Sequence, residues 1–196
     1  MARMAVTLTH VMAMHAQILK FIVTALFVVP LFLAPAEAQT SETDLLAQLQ
    51  TAPESEANRL ERELALIWDQ SGSAAMDLLL KRGREALEDE DNARAVEHLS
   101  ALTDHAPEFA EGWHARATAL YRAGLYGPAL DALHQALLLN PNNFNAIFGL
   151  GVMMREFGDL DRAARAFDRV LELHPHHKRA KAAKEQMAVQ GLGQTL

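Results

Sequence analysis

Laid against itself at an offset of 34 residues, the 196-residue chain brings Pro107, Pro141 and Pro175 into register. Ala95, Ala129 and Ala163 coincide at the same offset, as do Gly83, Ala117 and Gly151. A period of this length is that of a small supersecondary unit whose apolar face is buried only against its neighbours, so the chain is constrained to fold as a stack. The aligned units are residues 76–109, 110–143 and 144–177.

Each unit reads as a helical hairpin. In the second, Trp113, Ala117, Leu120 and Tyr121 recur at the spacing of one helix face, and Gly124-Leu125-Tyr126 breaks the pattern. Pro128 sits at the start of the next helix, where its missing N–H costs nothing; Ala129, Leu133, Ala136 and Leu137 continue the stripe until Asn140-Pro141 stops it. Composition agrees, because Ala and Leu fill a third of the sequence while aromatics are 6%, a mixture that favours helix over sheet. The small residues Gly83, Ala117 and Gly151 on first helices, facing Ala95, Ala129 and Ala163 on second ones, let the two helices approach closely.

The spacing resembles the tetratricopeptide repeat, with its pattern Trp-x2-Leu-Gly-x2-Tyr-x8-Ala-x3-Phe-x2-Ala-x4-Pro. Unit two supplies Trp113, Arg116, Ala117, Leu120, Ala129, Leu133, Ala136 and Pro141; unit three Ile147, Leu150, Gly151, Met154, Ala163, Phe167, Val170 and Pro175; unit one Leu79, Arg82, Gly83, Ala86, Ala95, Leu99, Leu102 and Pro107. Arg82 and Arg116 stand where the pattern has Leu. The resemblance implies an all-α fold in which antiparallel helical hairpins stack as a right-handed solenoid with N- and C-terminal capping helices. It further implies that the first helices line a concave groove, with positions 2, 5, 9, 12 and 13 of each unit facing a bound peptide. The candidates carried over are Leu80, Arg84 and Leu87 from unit one, His114, Thr118, Tyr121 and Arg122 from unit two, and Phe148, Val152 and Arg155 from unit three. Buried aromatic and Arg anchors dominate binding at such surfaces. The clamp that some relatives use for chaperone C-terminal carboxylates is absent, since its places hold Leu80, Arg84, Ala115, Asn145 and Gly149.

The flanks read as caps. Residues 178–190, with Ala180, Ala183 and Met187 on one side and Lys178, Arg179, Lys181 and Lys184 elsewhere, form a polar-backed closing helix, and 191–196 a frayed tail. Residues 39–75 hold a shorter hairpin, 44–51 and 54–68, with Ala57, Leu60, Leu64 and Trp68 as its apolar face. It is either a capping hairpin or a degenerate fourth repeat.

Chemistry is sparse. Phosphate-cradling glycine loops, nucleophile elbows and metalloprotease or EF-hand patterns are missing from residues 39–196. With no cysteine, disulfides, thiolate nucleophiles and Cys-type metal sites are excluded. The expectation is a protein that is not an enzyme and carries no cofactor. Glu88-Asp89-Glu90-Asp91 falls at an inter-helix turn and reads as solvated charge. His174, His176 and His177 are the weak metal candidates and support the alternative of a metal- or haem-handling carrier.

Residues 21–36 are uncharged and mostly apolar, follow Lys20 and end in Ala36-Glu37-Ala38, the pattern of a cleaved export signal. Residues 1–38 are therefore expected to be removed after Ala38, from a start at Met1 or Met14, giving a periplasmic protein; an uncleaved inner-membrane anchor is the alternative. The net charge of −7 disfavours nucleic acid as a partner. Within the remaining chain, residues 39–112 carry 17 acidic and 6 basic side chains, a net of −11, and 113–196 carry 7 and 10, a net of +3. The expected partner is another protein or peptide segment of the cell envelope, with self-association as a further possibility.

Overall fold

The computed structural model describes residues 41–194, with side chains to residue 189. The expected export signal at 1–38 and its cleavage site lie outside the described residues. Among the described residues there are nine helices and no strand: α1 Glu42–Thr51, α2 Glu54–Trp68, α3 Ala74–Glu88, α4 Asn92–His105, α5 Ala110–Arg122, α6 Tyr126–Leu139, α7 Phe144–Glu156, α8 Leu160–Leu173 and α9 Lys178–Gln194. None of them is long and apolar enough to cross a membrane.

The three units fold as the hairpins α3–α4, α5–α6 and α7–α8, stacked in order. Ala95, Ala129 and Ala163 are wholly buried. A Cβ built on Gly151 would lie 2.6 Å from the Phe167 ring, and one on Gly83 would collide with Leu99, so these glycines are the means by which the paired helices touch.

The turns within the units repeat as well. Glu90, Gly124 and Gly158 stand 34 residues apart and all have left-handed backbones, with φ of 59°, 75° and 81°. The next residue returns its N–H to the helix, Asp91 to Ala86 O at 2.8 Å, Leu125 to Leu120 O at 2.9 Å and Asp159 to Met154 O at 2.9 Å, a Schellman closure in each unit. Glutamate bears a steric penalty in this conformation that glycine does not. Glu90→Gly is therefore expected to stabilise the fold by about 0.5–1 kcal/mol, the relief being partly offset by the greater freedom of glycine in the unfolded chain. A urea midpoint that falls in this variant would contradict it. Asp91, last of the acidic run, also caps α4, because its carboxylate accepts the Arg94 N–H at 3.1 Å, as Asp159 caps α8 through Arg162 at 3.0 Å.

Helix bounds differ from expectation in three places. α1 starts at Glu42 because Ser41 caps it, its Oγ accepting the Asp44 N–H at 3.2 Å. α6 starts at Tyr126, which leaves Pro128 in the first turn, where the N–H that proline lacks would have had no intrahelical partner. α9 continues to Gln194, through Gly191 and Gly193, each of which costs a helix only about 1 kcal/mol and blocks nothing.

The hairpin α1–α2 lies against the far end of the chain. Leu45, Leu46, Leu49, Ala57, Leu60, Leu64 and Trp68 share one core with Phe144, Ile147, Ala166, Val170, Leu173 and Ala180, while the core of α3, α4 and α5 is separate. It runs along the edge made by the turns between units. At one end His176 Nε2 meets the Ala52 carbonyl at 3.1 Å. Further along, Glu42 Oε1 accepts from both Trp68 Nε1 at 2.8 Å and Asn140 Nδ2 at 2.9 Å. Beyond α2, Asp69 pairs with Arg84 at 2.8 Å. The 15 residues of α2 span about 22 Å, roughly two helix spacings, so one helix reaches successive inter-unit turns.

Candidate functional site

The first helices of units two and three, α5 and α7, open between them a pocket of about 330 Å³. Of the ten groove candidates, His114, Thr118, Tyr121, Arg122, Phe148 and Val152 line it. These six are positions the resemblance implied, and they meet here because positions 5, 9, 12 and 13 of a helix lie on one face. Leu133 and Met153, both buried, form part of the lining, and Asn145 and Gly149 complete the α7 wall. The Tyr121 hydroxyl donates to the Glu156 carboxylate. Burial, reinforced by that acceptor, pushes the phenol up to about 12, so it remains a neutral donor. Tyr121 also begins a line of edge-on rings, to Tyr126 at 5.7 Å and from there to Phe157 at 5.9 Å, which carries apolar surface from the pocket to the intra-unit turns.

Unit one does not extend this surface. Leu80 and Leu87 are buried, at 2% and 8% exposure, in a core with Ala115 and Ala119 of α5. The short alanine side chains admit the two leucines between α3 and α5, so these candidates serve packing and not a ligand. Arg84 is engaged as well: it binds Asp69 at 2.8 Å and Glu111 at 2.7 Å. Glu111 is itself buried and further held by His114 Nδ1 at 3.1 Å and Asn143 Nδ2 at 3.1 Å. Burial alone would push its carboxyl up, but His114 and Arg84 outweigh it and keep it below the usual range, ionised and paired. Arg155 lies beside the pocket and donates to Gln186 of α9 at 3.3 Å.

The histidines diverge. His174 Nε2 faces Glu61 at 3.4 Å, His176 faces the Ala52 carbonyl, and His177 Nδ1 accepts the Ala180 N–H at 3.1 Å. His174 and His177 are buried edge-on against Phe144, at 5.2 and 6.1 Å between centroids. They are thus packing and capping groups, and among the described residues no set of three His, Cys, Asp or Glu side chains is placed to hold a metal ion.

One pocket residue lies beyond the three units yet at a repeat position, since Arg179 stands 34 residues after Asn145, itself at position 2 of unit three. Arg179, at the start of α9 and outside the repeats, lines the pocket with its guanidinium 4.6 Å over the Phe148 ring. Its sequence signals are that register, which the three-unit frame stops short of, and a basic cluster on a closing helix.

The helical hairpins and their shared turns have a counterpart among known proteins, since a family model described as tetratricopeptide repeat matches residues 80–133 and 114–178. The chain belongs to the tetratricopeptide repeat family. A repeat-containing protein of this family from Rhizobium etli is 27% identical over 132 residues, covering 67% of this chain and 65% of that relative's own length. Among solved structures, the first tetratricopeptide domain of Spaghetti (RPAP3), bound to the HSP90 peptide SRMEEVD, superposes with a TM-score of 0.56 at 22% identity, over 60% of this chain and 93% of that one. The TPR2B domain of yeast Sti1, in complex with pHsp70, gives 0.54 at 21% identity, over 62% and 99%. At these identities the likeness establishes the fold of this tetratricopeptide repeat chain, and the site rests on its own residues.

Proposed function

We propose that this chain is a non-catalytic interaction module that holds a segment of another protein in the concave face between α5 and α7. The observation that carries this reading is the 330 Å³ pocket, in which six side chains at groove positions of two units meet around an apolar floor. Apolar lining with a few convergent polar groups is what a peptide side chain requires. The neighbours bound to an HSP90 peptide and to pHsp70 support it by analogy of fold. The apolar run at 21–36 and Ala36-Glu37-Ala38 support placing the module, cleaved after Ala38, in the periplasm as a scaffold or assembly factor for an envelope protein.

Selection of randomised peptides on the immobilised chain tests the groove. Recovered peptides are expected to lose about tenfold or more in affinity to Tyr121→Ala/Val152→Gln, whose far-UV circular dichroism stays that of the parent. Both side chains are only half-buried, so the fold tolerates the change. An empty selection, or peptides that bind the double variant equally well, would overturn the groove reading.

A further inference from the structure

We propose that α9 is part of the binding site as well as the end of the stack, and that Arg179 selects segments in which a side-chain carboxylate stands next to an apolar anchor. The inference rests on the proposed groove and names the chemistry of its ligand.

Arg179 is exposed, yet its guanidinium carbon lies over the Phe148 ring, 4.6 Å from the centroid. That ring also packs against Phe167, at 5.6 Å, and His177, at 5.2 Å between centroids. Stacking uses the face of the guanidinium and leaves its in-plane N–H groups free, the fork that matches a carboxylate. Among the described residues no acidic side chain pairs with Arg179 and none accepts a hydrogen bond from it, whereas Arg84 and Lys184 each have a carboxylate partner. Arg122, on the α5 wall of the same pocket, gives one N–H to the Leu87 carbonyl at 2.9 Å and has no carboxylate either. Of the acids near these groups, Glu156 is occupied by Tyr121, and Glu61, whose carboxyl Arg179 helps to hold below the usual range, faces His174 at 3.4 Å. Two unpaired guanidiniums therefore flank an apolar floor, in the half of the chain whose net charge is +3. A peptide that puts an aliphatic or aromatic side chain on that floor brings its adjacent carboxylates to the two forks, and the charge of the pocket excludes basic segments.

The same peptide selection, repeated on Arg179→Glu, decides the matter. The parent is expected to recover peptides enriched in Asp or Glu beside an apolar residue. Arg179→Glu, exposed and folded by circular dichroism, is expected to recover peptides without that enrichment. Individual winners, synthesised with amidated C-termini so that only side-chain carboxylates respond, are expected to bind this variant about tenfold or more weakly and to tighten at low salt. Winners from the parent with no acidic enrichment, or acidic winners that ignore Arg179→Glu, overturn the inference while leaving the groove intact. Winners that fail on Tyr121→Ala/Val152→Gln but not on Arg179→Glu overturn it in the same way. A parent chain that self-associates in sedimentation, with loss of association in Arg179→Glu, overturns it in favour of a second copy as occupant.

Discussion

Phe144→Ala is expected to destabilise the protein by about 3–5 kcal/mol, the range for removing a fully buried aromatic ring. Phe144 is 0% exposed and stands at the first position of unit three, where units one and two have Met76 and Ala110. It is an aromatic there because the α1–α2 hairpin crosses at this point. The ring meets Trp68 edge-on at 5.1 Å and receives His174 and His177 on other sides. Its loss opens a cavity shared by α2, α7 and the start of α9, none of which can close it alone. Urea unfolding gives the magnitude, and the change in Trp68 emission gives the place. A cost below about 1 kcal/mol, which is the scale of a half-exposed site, would mean that the hairpin does not dock on unit three.

Acidification should cost nearly as much. His177 is 4% exposed and its Nδ1 accepts the Ala180 N–H, so the ring must be neutral there to cap α9. Burial first, then the nearby His174 and Arg179, lower its pKa to about 4, against a smaller opposing pull from Glu61. In the unfolded chain the same group titrates near 6.5. Between those values the unfolded state binds a proton that the folded state refuses. Stability is therefore full above pH 6.5 and falls as pH drops toward 4, at up to about 1.4 kcal/mol per unit and about 2–3 kcal/mol in all. Glu61, held below the usual carboxylate range chiefly by its hydrogen bond to His174, adds loss of the same sign at still lower pH. His177→Asn is expected to flatten the curve between pH 6.5 and 4, because Asn is the residue that caps α7 at the equivalent place, Asn143 accepting from Ala146 N–H at 3.1 Å. An unchanged pH dependence in His177→Asn would assign the acid sensitivity elsewhere.

These two effects belong to parts of the molecule that differ in how readable they were. The hairpins of the three units and their buried alanines follow from a local rule repeated every 34 residues, onto which the family resemblance places a groove face. Helix faces depend on neighbours three and four positions away, and a stack of equal units needs contacts only between adjacent ones. That is why His114, Thr118, Tyr121, Arg122, Phe148 and Val152, carried over from the family's groove positions, are found in one pocket. In unit one the same rule named Leu80, Arg84 and Leu87, and there it failed. The leucines are buried on Ala115 and Ala119, and Arg84 is drawn into pairs with Asp69 and Glu111, which depend on what α5 and the segment after α2 bring to that place.

By itself, then, the sequence determined a repeating all-helical stack and where its turns fall, because each of these is set by interactions within one unit or between consecutive units, and its resemblance to a known repeat supplied the groove face of the central units. Only the tertiary structure decided where the α1–α2 hairpin lies and that His174 and His177 are core and capping groups. Those contacts link residues outside the repeat to residues up to 124 positions away. Their partners are set by shape and charge complementarity between distant surfaces, which no period records.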